Sequence, residues 1–240
     1  MRLTYIYHSG FAIETNNCVI IIDYYRDSDD DKSKGVVHSK LLRQEKPLYI
    51  LSTHSHYDHF NPEILSWKNT RNDITYIFSN DILENRMATE NDAIYLNKTD
   101  IFQNGQLWIK AFGSTDLGIS FLIKIEDRQI FHAGDLNNWH WDEESTQEEI
   151  DKAQTDYLNE LHLLANETNH LHLAMFPVDS HLGRNYMLGA EQFTQNIKTD
   201  IFSPMHFASE YEKVSAFKLI ADKYNTQCVC WKDKGEQIIF

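Results

Sequence analysis

The chain lacks the features of a membrane protein or of a secreted disulfide-stabilised protein. No apolar run approaches the roughly 18 residues that a membrane span needs. The first seven residues enter an alternating strand pattern instead of the charged and apolar regions of a signal peptide. The three cysteines are an odd number and cannot all pair within the chain. We therefore expect a soluble, globular, cytoplasmic protein without membrane association.

Positive charge and flexible linkers are also scarce. The 240 residues contain 22 lysines and arginines against 36 aspartates and glutamates, so the net charge is −14. Because nucleic-acid affinity depends on basic side chains that displace counterions, this balance disfavours a nucleic-acid partner. A small-molecule substrate is the expected partner. No Gly/Ser-rich linker or internal repeat divides the chain, and we expect a single domain over residues 1–240.

Hydrophobic periodicity predicts alternating strands and helices. The chain has a predicted turn at Asn16-Asn17, a predicted exposed loop over 26–34, and a predicted helix that begins at Asn61-Pro62. The other predicted helices cover 141–167, which is the longest, 190–197 and 211–224. Predicted strands cover 3–7, 11–13, 18–22, 48–51, 74–78, 93–96, 106–112, 118–125, 129–132, 171–178, 201–203 (ending at Pro204) and 228–231.

The most informative stretch follows the apolar run over 48–51. It reads H-x-H-x-D-H, with His54, His56, Asp58 and His59 in the loop between a predicted strand and a predicted helix. Imidazole nitrogens suit zinc, iron and similar ions, and a carboxylate adds a hard oxygen ligand. The spacing therefore predicts one half of a metal site.

Further ligand-type side chains follow other predicted strands. Asp135 comes after the strand over 129–132, and His206 comes after the strand over 201–203. Loops that follow several strands at one sheet edge can converge, which makes these two residues candidates for the second half of the site.

These residues and their order resemble the metallo-β-lactamase-fold hydrolases, and the opening residues His8 and Asp23 resemble those of the ascorbate-phosphate-lactonase-like branch. The resemblance implies an α+β fold, namely an αββα four-layer sandwich of two mixed β-sheets flanked by helices. The metal site would lie at one edge. The implied metal ligands are His54, His56, Asp58, His59, Asp135 and His206. Of these, Asp135 would bridge two ions.

The chain departs from that family at one ligand position. A histidine normally precedes the strand over 118–125, whereas this chain has Ser114 there, and it has no histidine between His59 and His132. A serine hydroxyl is a weak neutral ligand. The first metal position is then completed by Asp116 or a histidine from elsewhere, is completed by water, or is empty with catalysis on one ion.

The resemblance implies a metal-dependent hydrolase with one or two zinc ions, or manganese or iron in their place. A metal-bound hydroxide would attack an ester, lactone or phosphodiester bond, with Asp58 orienting the water and accepting its proton. No Gly-x-Ser-x-Gly elbow or cysteine nucleophile motif offers a covalent route. The alternatives are a non-catalytic metal- or ligand-binding protein of the same fold, and a nuclease or phosphodiesterase.

Supporting roles are predicted for six further residues. Metal-bound imidazoles need their second N–H fixed by a carboxylate or carbonyl, which makes His8 and Asp23 candidates, although a strand-end cap or a core position explains them as well. Asp179 and His181 follow the strand over 171–178 and suit leaving-group protonation, substrate contact or an ordinary polar loop. The remaining two supporting residues are Ser114 and Asp116.

Overall fold

The computed structural model describes every residue from Met1 to Phe240. The residues group into two compact units. The first unit comprises Met1–Asn97 with Trp231–Phe240, and the second comprises Lys98–Cys230. Each unit contains one seven-stranded mixed sheet together with helices. The expectation of a single domain stays a prediction. No helix has both the length and the apolar character that crossing a membrane requires.

The sheet of the first unit has the strand order β14-β1-β2-β3-β4-β5-β6. Its strands are β1 Arg2–Tyr7, β2 Gly10–Glu14, β3 Val19–Ile22, β4 Leu48–Ser52, β5 Ile74–Ser79, β6 Ile94–Leu96 and β14 Gln237–Ile239. Strand β2 is antiparallel to both β1 and β3, and β3, β4 and β5 are mutually parallel. Strands β1, β3, β4 and β5 therefore run in one direction and end at the same sheet edge.

Short helices cover the hydrophobic core of the first unit. They are α1 Val36–Ser39, α2 Asn80–Glu84 and the 3-10 helices Leu41–Arg43 and Pro62–Asn69. Every residue of β3 and β4 is buried, as the unbroken apolar run Val19–Ile22 predicts for a strand packed on both faces. Residues from alternate strand positions join helical residues in one core cluster that includes Ile21, Ile50, Leu41, Ile64 and Trp67. Burial of each such side chain stabilises the fold by about 1.5–3 kcal/mol.

The sheet of the second unit has the strand order β13-β12-β11-β10-β9-β8-β7. Its strands are β7 Ile101–Gln103, β8 Leu107–Gly113, β9 Ile119–Ile125, β10 Arg128–His132, β11 His170–Pro177, β12 Lys198–Met205 and β13 Gln227–Cys228. Strand β9 is antiparallel to both β8 and β10, and β10, β11 and β12 are mutually parallel. Strands β8, β10, β11 and β12 consequently share one direction and end at one edge.

The helices of the second unit are α3 Gln147–Glu167, α4 Leu188–Asn196, α5 Tyr211–Ser215, α6 Lys218–Ala221 and the 3-10 helices Ser180–Asn185 and Asp222–Tyr224. Helix α3 is the longest, as predicted, but it begins at Gln147 instead of residue 141. Thr146 and Glu149 form a capping box that fixes this start, because each side chain accepts the other residue's backbone N–H. The predicted helix over 211–224 is wrong as one element, since it is broken into three short pieces.

Three further predictions need correction. Strand β12 continues through Pro204 to Met205 instead of ending at Ser203. Pro204 pairs with Phe176 of β11 on one side. On its other side β13 pairs only with Ile201 and Phe202, so the missing proline N–H costs no hydrogen bond to β13. The predicted strand over 228–231 is reduced to Gln227–Cys228. The loop over 26–34 is mostly exposed, but Asp27 is buried. Strands β7 and β14 were not predicted.

Candidate metal centre

The H-x-H-x-D-H loop connects the end of β4 to the 3-10 helix Pro62–Asn69. Strand β4 lies between the parallel strands β3 and β5, so this loop starts at the carboxyl edge of the sheet. His54 and His59 are fully buried, whereas the side chain of Asp58 is 20% exposed. The Asn61 side chain accepts the Glu63 backbone N–H and caps the helix that follows, as predicted. The loop is therefore fixed at both ends.

Asp23, at the end of β3, organises two residues of this loop. Its carboxylate accepts the Thr53 backbone N–H at 2.7 Å and the Thr53 hydroxyl at 2.6 Å, and it lies 2.8 Å from Nδ1 of His59. The side chains of Asp23 and His59 are fully buried. A carboxylate at Nδ1 fixes the imidazole tautomer that carries its proton there. Nε2 of His59 is left with its lone pair, as a metal ligand requires.

His54 and His56 present two ring nitrogens to one point. Nε2 of His54 lies 3.1 Å from Nδ1 of His56. Two nitrogens bound at about 2.0–2.1 Å to a common ion lie about 2.9–3.4 Å apart at ordinary coordination angles. Thr53 Oγ1, whose proton goes to Asp23, accepts the Nδ1 proton of His54 at 3.1 Å. The donor atoms of this pair fit a divalent ion.

His8 joins Asp58 and His59 at the same edge. Nε2 of His8 lies 3.2 Å from Oδ2 of Asp58, and Nε2 of His59 lies 4.0 Å from that oxygen. One ligand-type atom from each of the three residues lies within 4.8 Å of the other two. His8 follows β1 and the other two residues follow β4, so two strands of one direction supply this group.

Left-handed backbone occurs at three of the predicted site residues. The φ angles are +57° at His8, +49° at Asp23 and +61° at His206. A residue with a Cβ adopts this region at a cost of about 1–2 kcal/mol, and such residues concentrate at functional sites. In each case the residue stands directly after a strand, where the bend turns its side chain away from the strand's alternation.

Asp81 and Asn85 also hold the ligand loop and were not predicted. Asp81 Oδ2 accepts the Ser55 backbone N–H at 2.8 Å, and Asn85 donates to the Ser55 hydroxyl at 2.9 Å. Ser55 is the residue between His54 and His56. The available signal was Asp81's position directly after β5, a further strand of the same direction.

The second unit gathers its ligand types in the same way, but from separate loops. Asp135 follows β10 and His206 follows β12, and Nε2 of His206 lies 3.5 Å from Oδ1 of Asp135. The two predicted ligands are therefore neighbours. Trp139 covers this pair, since its ring meets the His206 ring edge-on at 5.6 Å and its Nε1 donates to the Asp135 carbonyl at 2.7 Å.

Asp179, between these two strands at the end of β11, orients two histidines. Its carboxylate lies 2.9 Å from Nδ1 of His206 and 2.7 Å from Nδ1 of His181. Burial raises the pKa of the Asp179 carboxyl, but the hydrogen bond and charge of His206 outweigh burial and hold this pKa below its usual value. Asp179 thus does for His206 what Asp23 does for His59. The His181 side chain is 71% exposed.

Ser114 and Asp116 lie in the loop after β8. The Ser114 hydroxyl accepts the Asp116 backbone N–H at 3.2 Å, and a carboxylate oxygen of Asp116 lies within 4.8 Å of one of Asp135. Thr115 ties this loop to the Asp135 loop, because its hydroxyl donates to the Asn137 carbonyl at 2.5 Å and accepts the Asn137 N–H at 3.0 Å. Asp116 is therefore a carboxylate ligand type that approaches Asp135.

A third group of ligand types lies on the strands of the second unit. His170, His172 and Asp200 have ligand atoms within 4.8 Å of one another. Nδ1 of His172 accepts the Gln129 backbone N–H at 3.0 Å, which places the ring proton on Nε2, and Nε2 of His170 lies 2.9 Å from Asp200. These bonds engage one ring nitrogen of each histidine in contacts within the protein.

The chain is similar to proteins of a known family and fold. A family described as a beta-lactamase superfamily domain matches residues 2–206. A UPF0173 protein of Pyrococcus abyssi is 30% identical over 142 residues, which are 56% of this chain; the match spans 60% of that relative's length.

Two solved structures share the fold at low sequence identity. One is a novel metallo hydrolase from the hyperthermophilic archaeon Ignicoccus hospitalis, with 16% identity, a TM-score of 0.71 and coverage of 100% of this chain and 97% of the other. The second is a diiron beta-hydroxylase from Streptomyces venezuelae, with 12% identity, a TM-score of 0.66 and coverage of 100% and 54%. The predicted α+β fold with two mixed, helix-flanked sheets is confirmed, and the chain belongs to the beta-lactamase superfamily, with the metallo-β-lactamase fold.

Proposed function

We propose that the protein is a metal-dependent hydrolase of small-molecule esters, lactones or phosphodiesters. The observation that carries this proposal is the repeated carboxylate–imidazole pair, Asp23 with His59 and Asp179 with His206. Each pair fixes Nδ1 and leaves Nε2 as the donor atom. A carboxylate that only caps a strand end does not have to contact an imidazole. The same contact in both sheets therefore favours a role in orienting metal ligands.

The proposed centre would hold two ions. The proposed ligands are His54, His56, Asp58 and His59 in the first unit and Asp116, Asp135 and His206 in the second, and Asp135 would be shared by the two ions. Asp116 replaces the family's third imidazole in this proposal, which rests on its approach to Asp135 and on the loop tie through Thr115. A carboxylate in that place hardens the ligand set, so manganese or iron competes with zinc more effectively than at a position with three histidines.

Asp58 is the proposed proton acceptor. A bound divalent ion lowers the pKa of water to about 7 and polarises the carbonyl or phosphoryl oxygen under attack. Oδ2 of Asp58 would take the proton released from the attacking water. His8, 3.2 Å from that oxygen, would hold the carboxylate in place. The exposed His181, bonded to Asp179, is a candidate donor of a proton to the leaving group.

The proposal extends to substrate class and location. A lactone is the first substrate class to test, because the chain resembles the lactonase-like branch. The net charge of −14 favours a small molecule over nucleic acid as the substrate. None of the three cysteines forms a disulfide, which suits the reducing conditions of the cytoplasm.

Metal analysis and a hydrolase panel test this function. The purified protein is expected to contain zinc, manganese or iron, to lose hydrolysis on chelation and to regain it when one of these metals is added. His56→Ala and Asp135→Ala should remain inactive under the same reconstitution. Bound metal without turnover of any ester, lactone or phosphodiester would instead support a non-catalytic binding protein.

A further inference from the structure

An aromatic and cationic patch lies beside the ligand loop of the first unit. It consists of Tyr7, Tyr25, Arg26 and Tyr57, and we refer to these four residues as the anion patch. The Arg26 guanidinium carbon lies 4.0 Å from the ring centre of Tyr7 and 4.9 Å from that of Tyr25. The Tyr7 and Tyr25 ring centres are 6.0 Å apart. Arg26 is thus held against two rings while remaining exposed.

The patch connects directly to the candidate metal ligands. The Tyr7 ring is 6.1 Å from the ring of His8, whose Nε2 lies 3.2 Å from Asp58. On the other side, the Tyr25 ring meets Tyr57 edge-on at 5.6 Å, and Tyr57 stands between His56 and Asp58. A single ring therefore separates Arg26 from His8 in one direction and from Tyr57 in the other.

Arg26 has no carboxylate partner of its own. Most other arginines of the chain pair with an acid, namely Arg2, Arg71, Arg128 and Arg184. Arg26 contacts only the two tyrosine rings, in a chain with 14 excess negative charges. A guanidinium stacked on an aromatic face keeps its N–H edge open for two parallel hydrogen bonds to a carboxylate or phosphate.

Tyr57 provides the apolar part of the same patch. Its side chain is 73% exposed, and its neighbours in the loop are the exposed His56 and the half-buried Asp58. Exposed tyrosines beside a site commonly supply a flat contact surface with a polar tip. Tyr57 is thus placed to contact the body of a bound molecule while Arg26 contacts its charge.

We propose that the anion patch binds a carboxylate or phosphate group of the substrate, with Arg26 as the specificity-determining residue. The inference rests on the proposed hydrolase function and specifies its substrate class as a small anionic molecule. The anionic group would lie on Arg26, the body of the molecule on Tyr57, and the bond to be cleaved at the candidate metal centre. The net negative charge of the protein would repel anions from the rest of its surface.

Binding measurements test the patch without any need for turnover. We would titrate the metal-loaded protein with 4-hydroxybenzoate, phenyl phosphate and phenol by calorimetry. The wild type should bind one of the two anions more tightly than phenol, and the preferred anion distinguishes carboxylate from phosphate. Arg26→Gln should weaken that anion by about 10-fold or more, the effect of losing a hydrogen bond to a charged group, and leave phenol unchanged.

Two variants control this experiment. Arg128→Gln removes the same charge from the β9–β10 turn, 33% exposed, and should leave all three affinities unchanged. Arg26→Lys keeps the charge without the planar fork and should give an intermediate affinity. The proposal is overturned if Arg26→Gln binds the anion within about twofold of wild type, if phenol weakens equally, or if neither anion binds more tightly than phenol.

Kinetics provide a second readout that separates binding from chemistry. The paired esters 4-acetoxybenzoate and phenyl acetate contain the same bond and differ by one carboxylate. Arg26→Gln should raise KM for the charged ester by about 10-fold without changing kcat, and should leave the neutral ester unaffected. Equal effects on both esters would contradict the patch. If neither ester is turned over, the binding measurements alone decide the fate of the patch, and the hydrolase panel decides the hydrolase proposal.

Discussion

The two units supply their ligand types by the same topology but distribute them differently along the chain. Each sheet has five strands of one direction, β1, β3, β4, β5 and β6 in the first and β8, β10, β11, β12 and β13 in the second. In the first unit the single loop after β4 carries four predicted ligand residues. In the second unit the loops after β8, β10 and β12 carry one candidate ligand residue each, namely Asp116, Asp135 and His206. A shared strand direction therefore determines where ligands meet, whether or not they are close in sequence.

The carboxylate–imidazole pairs show a second difference between the units. Asp23 and His59 are fully buried, and Asp23 also holds both the backbone and the hydroxyl of Thr53. Asp179 and His206 have side-chain exposures of 7% and 15%, and Asp179 shares its carboxylate with the exposed His181. The first pair is part of the core, whereas the second is partly exposed to solvent. We therefore expect mutations of the first pair to lower the stability of the fold and mutations of the second pair to affect mainly metal binding.

The largest effect is expected at the proposed shared ligand, Asp135. Asp135→Ala should reduce the bound metal from two ions to none, and hydrolysis should fall about a thousandfold or more, because metal assistance supplies several kcal/mol to the transition state. Elemental analysis and initial rates measure both quantities. Asp127→Ala, at a carboxylate that is 81% exposed, is the matched control. Two ions retained by Asp135→Ala would show that this residue is not shared.

The next effect concerns Asp116 and the missing histidine. Asp116→Asn should bind one of the two ions about 100-fold or more weakly, so that the purified variant contains one ion. Loss of even an indirect metal-site partner lowers metal affinity by about 10–100-fold. Asp116→His should restore two ions and shift the preference from manganese or iron towards zinc. Ser114→Ala, the control, should retain both ions. Equal metal content in Asp116→Asn and wild type, measured by equilibrium dialysis, would remove Asp116 from the ligand set.

The matched substitutions Asp23→Asn and Asp179→Asn test the contrast between the two pairs. Both should weaken metal binding by about 10–100-fold through the misoriented imidazole. Asp23→Asn should in addition lower the free energy of unfolding of the metal-free protein by about 2 kcal/mol more than Asp179→Asn, because its amide would face the Thr53 N–H inside the core. Urea denaturation measures this difference. Equal losses of stability would show that burial does not distinguish the pairs.

The smallest effect is expected at a carboxylate–histidine pair remote from the ligands. His38 lies 2.7 Å from buried Asp27 and 3.1 Å from Glu63, which also pairs with Lys32. The hydrogen bond to Asp27 raises the pKa of His38 against the effect of burial, with further help from the charges of Asp27 and Glu63. Burial raises the pKa of Asp27, but the hydrogen bonds from His38 and Val37 outweigh it and lower this pKa.

The pH dependence of this pair follows from those two directions. The His38 contribution is complete below its unfolded pKa of 6.5 and is lost as the pH rises through the higher folded pKa. The Asp27 contribution is present above its unfolded pKa of 3.8 and is lost as the pH falls through the lower folded pKa. His38→Gln should therefore cost about 1 kcal/mol near pH 5–6 and less near pH 9 in urea denaturation. A pH-independent cost would contradict charge on His38.

Most strands and the ligand loop could be predicted from the sequence because their signals are local. The run Val19–Ile22, for example, has four consecutive apolar residues, and all four are buried. The edge strands β7 and β14 were missed because each has only three residues, two of them exposed. Asp81 was missed because its role depends on strand order, which places β5 beside β4. Local patterns therefore predict ligand-type residues, whereas the contact of Asp81 with the ligand loop emerges only from topology.

The left-handed backbone at His8, Asp23 and His206 has a consequence for the metal-free protein. Three strands end in a strained left-handed conformation, and opening a strand end would relieve this strain. The ligand edge is therefore the part of each sheet with the lowest free-energy cost of local opening. Ions bound there would tighten these strand ends, while the buried centres of β3 and β4 stay closed in either state. Loss of metal would then open these strand ends and leave the rest of each sheet folded, so that metal could rebind without refolding.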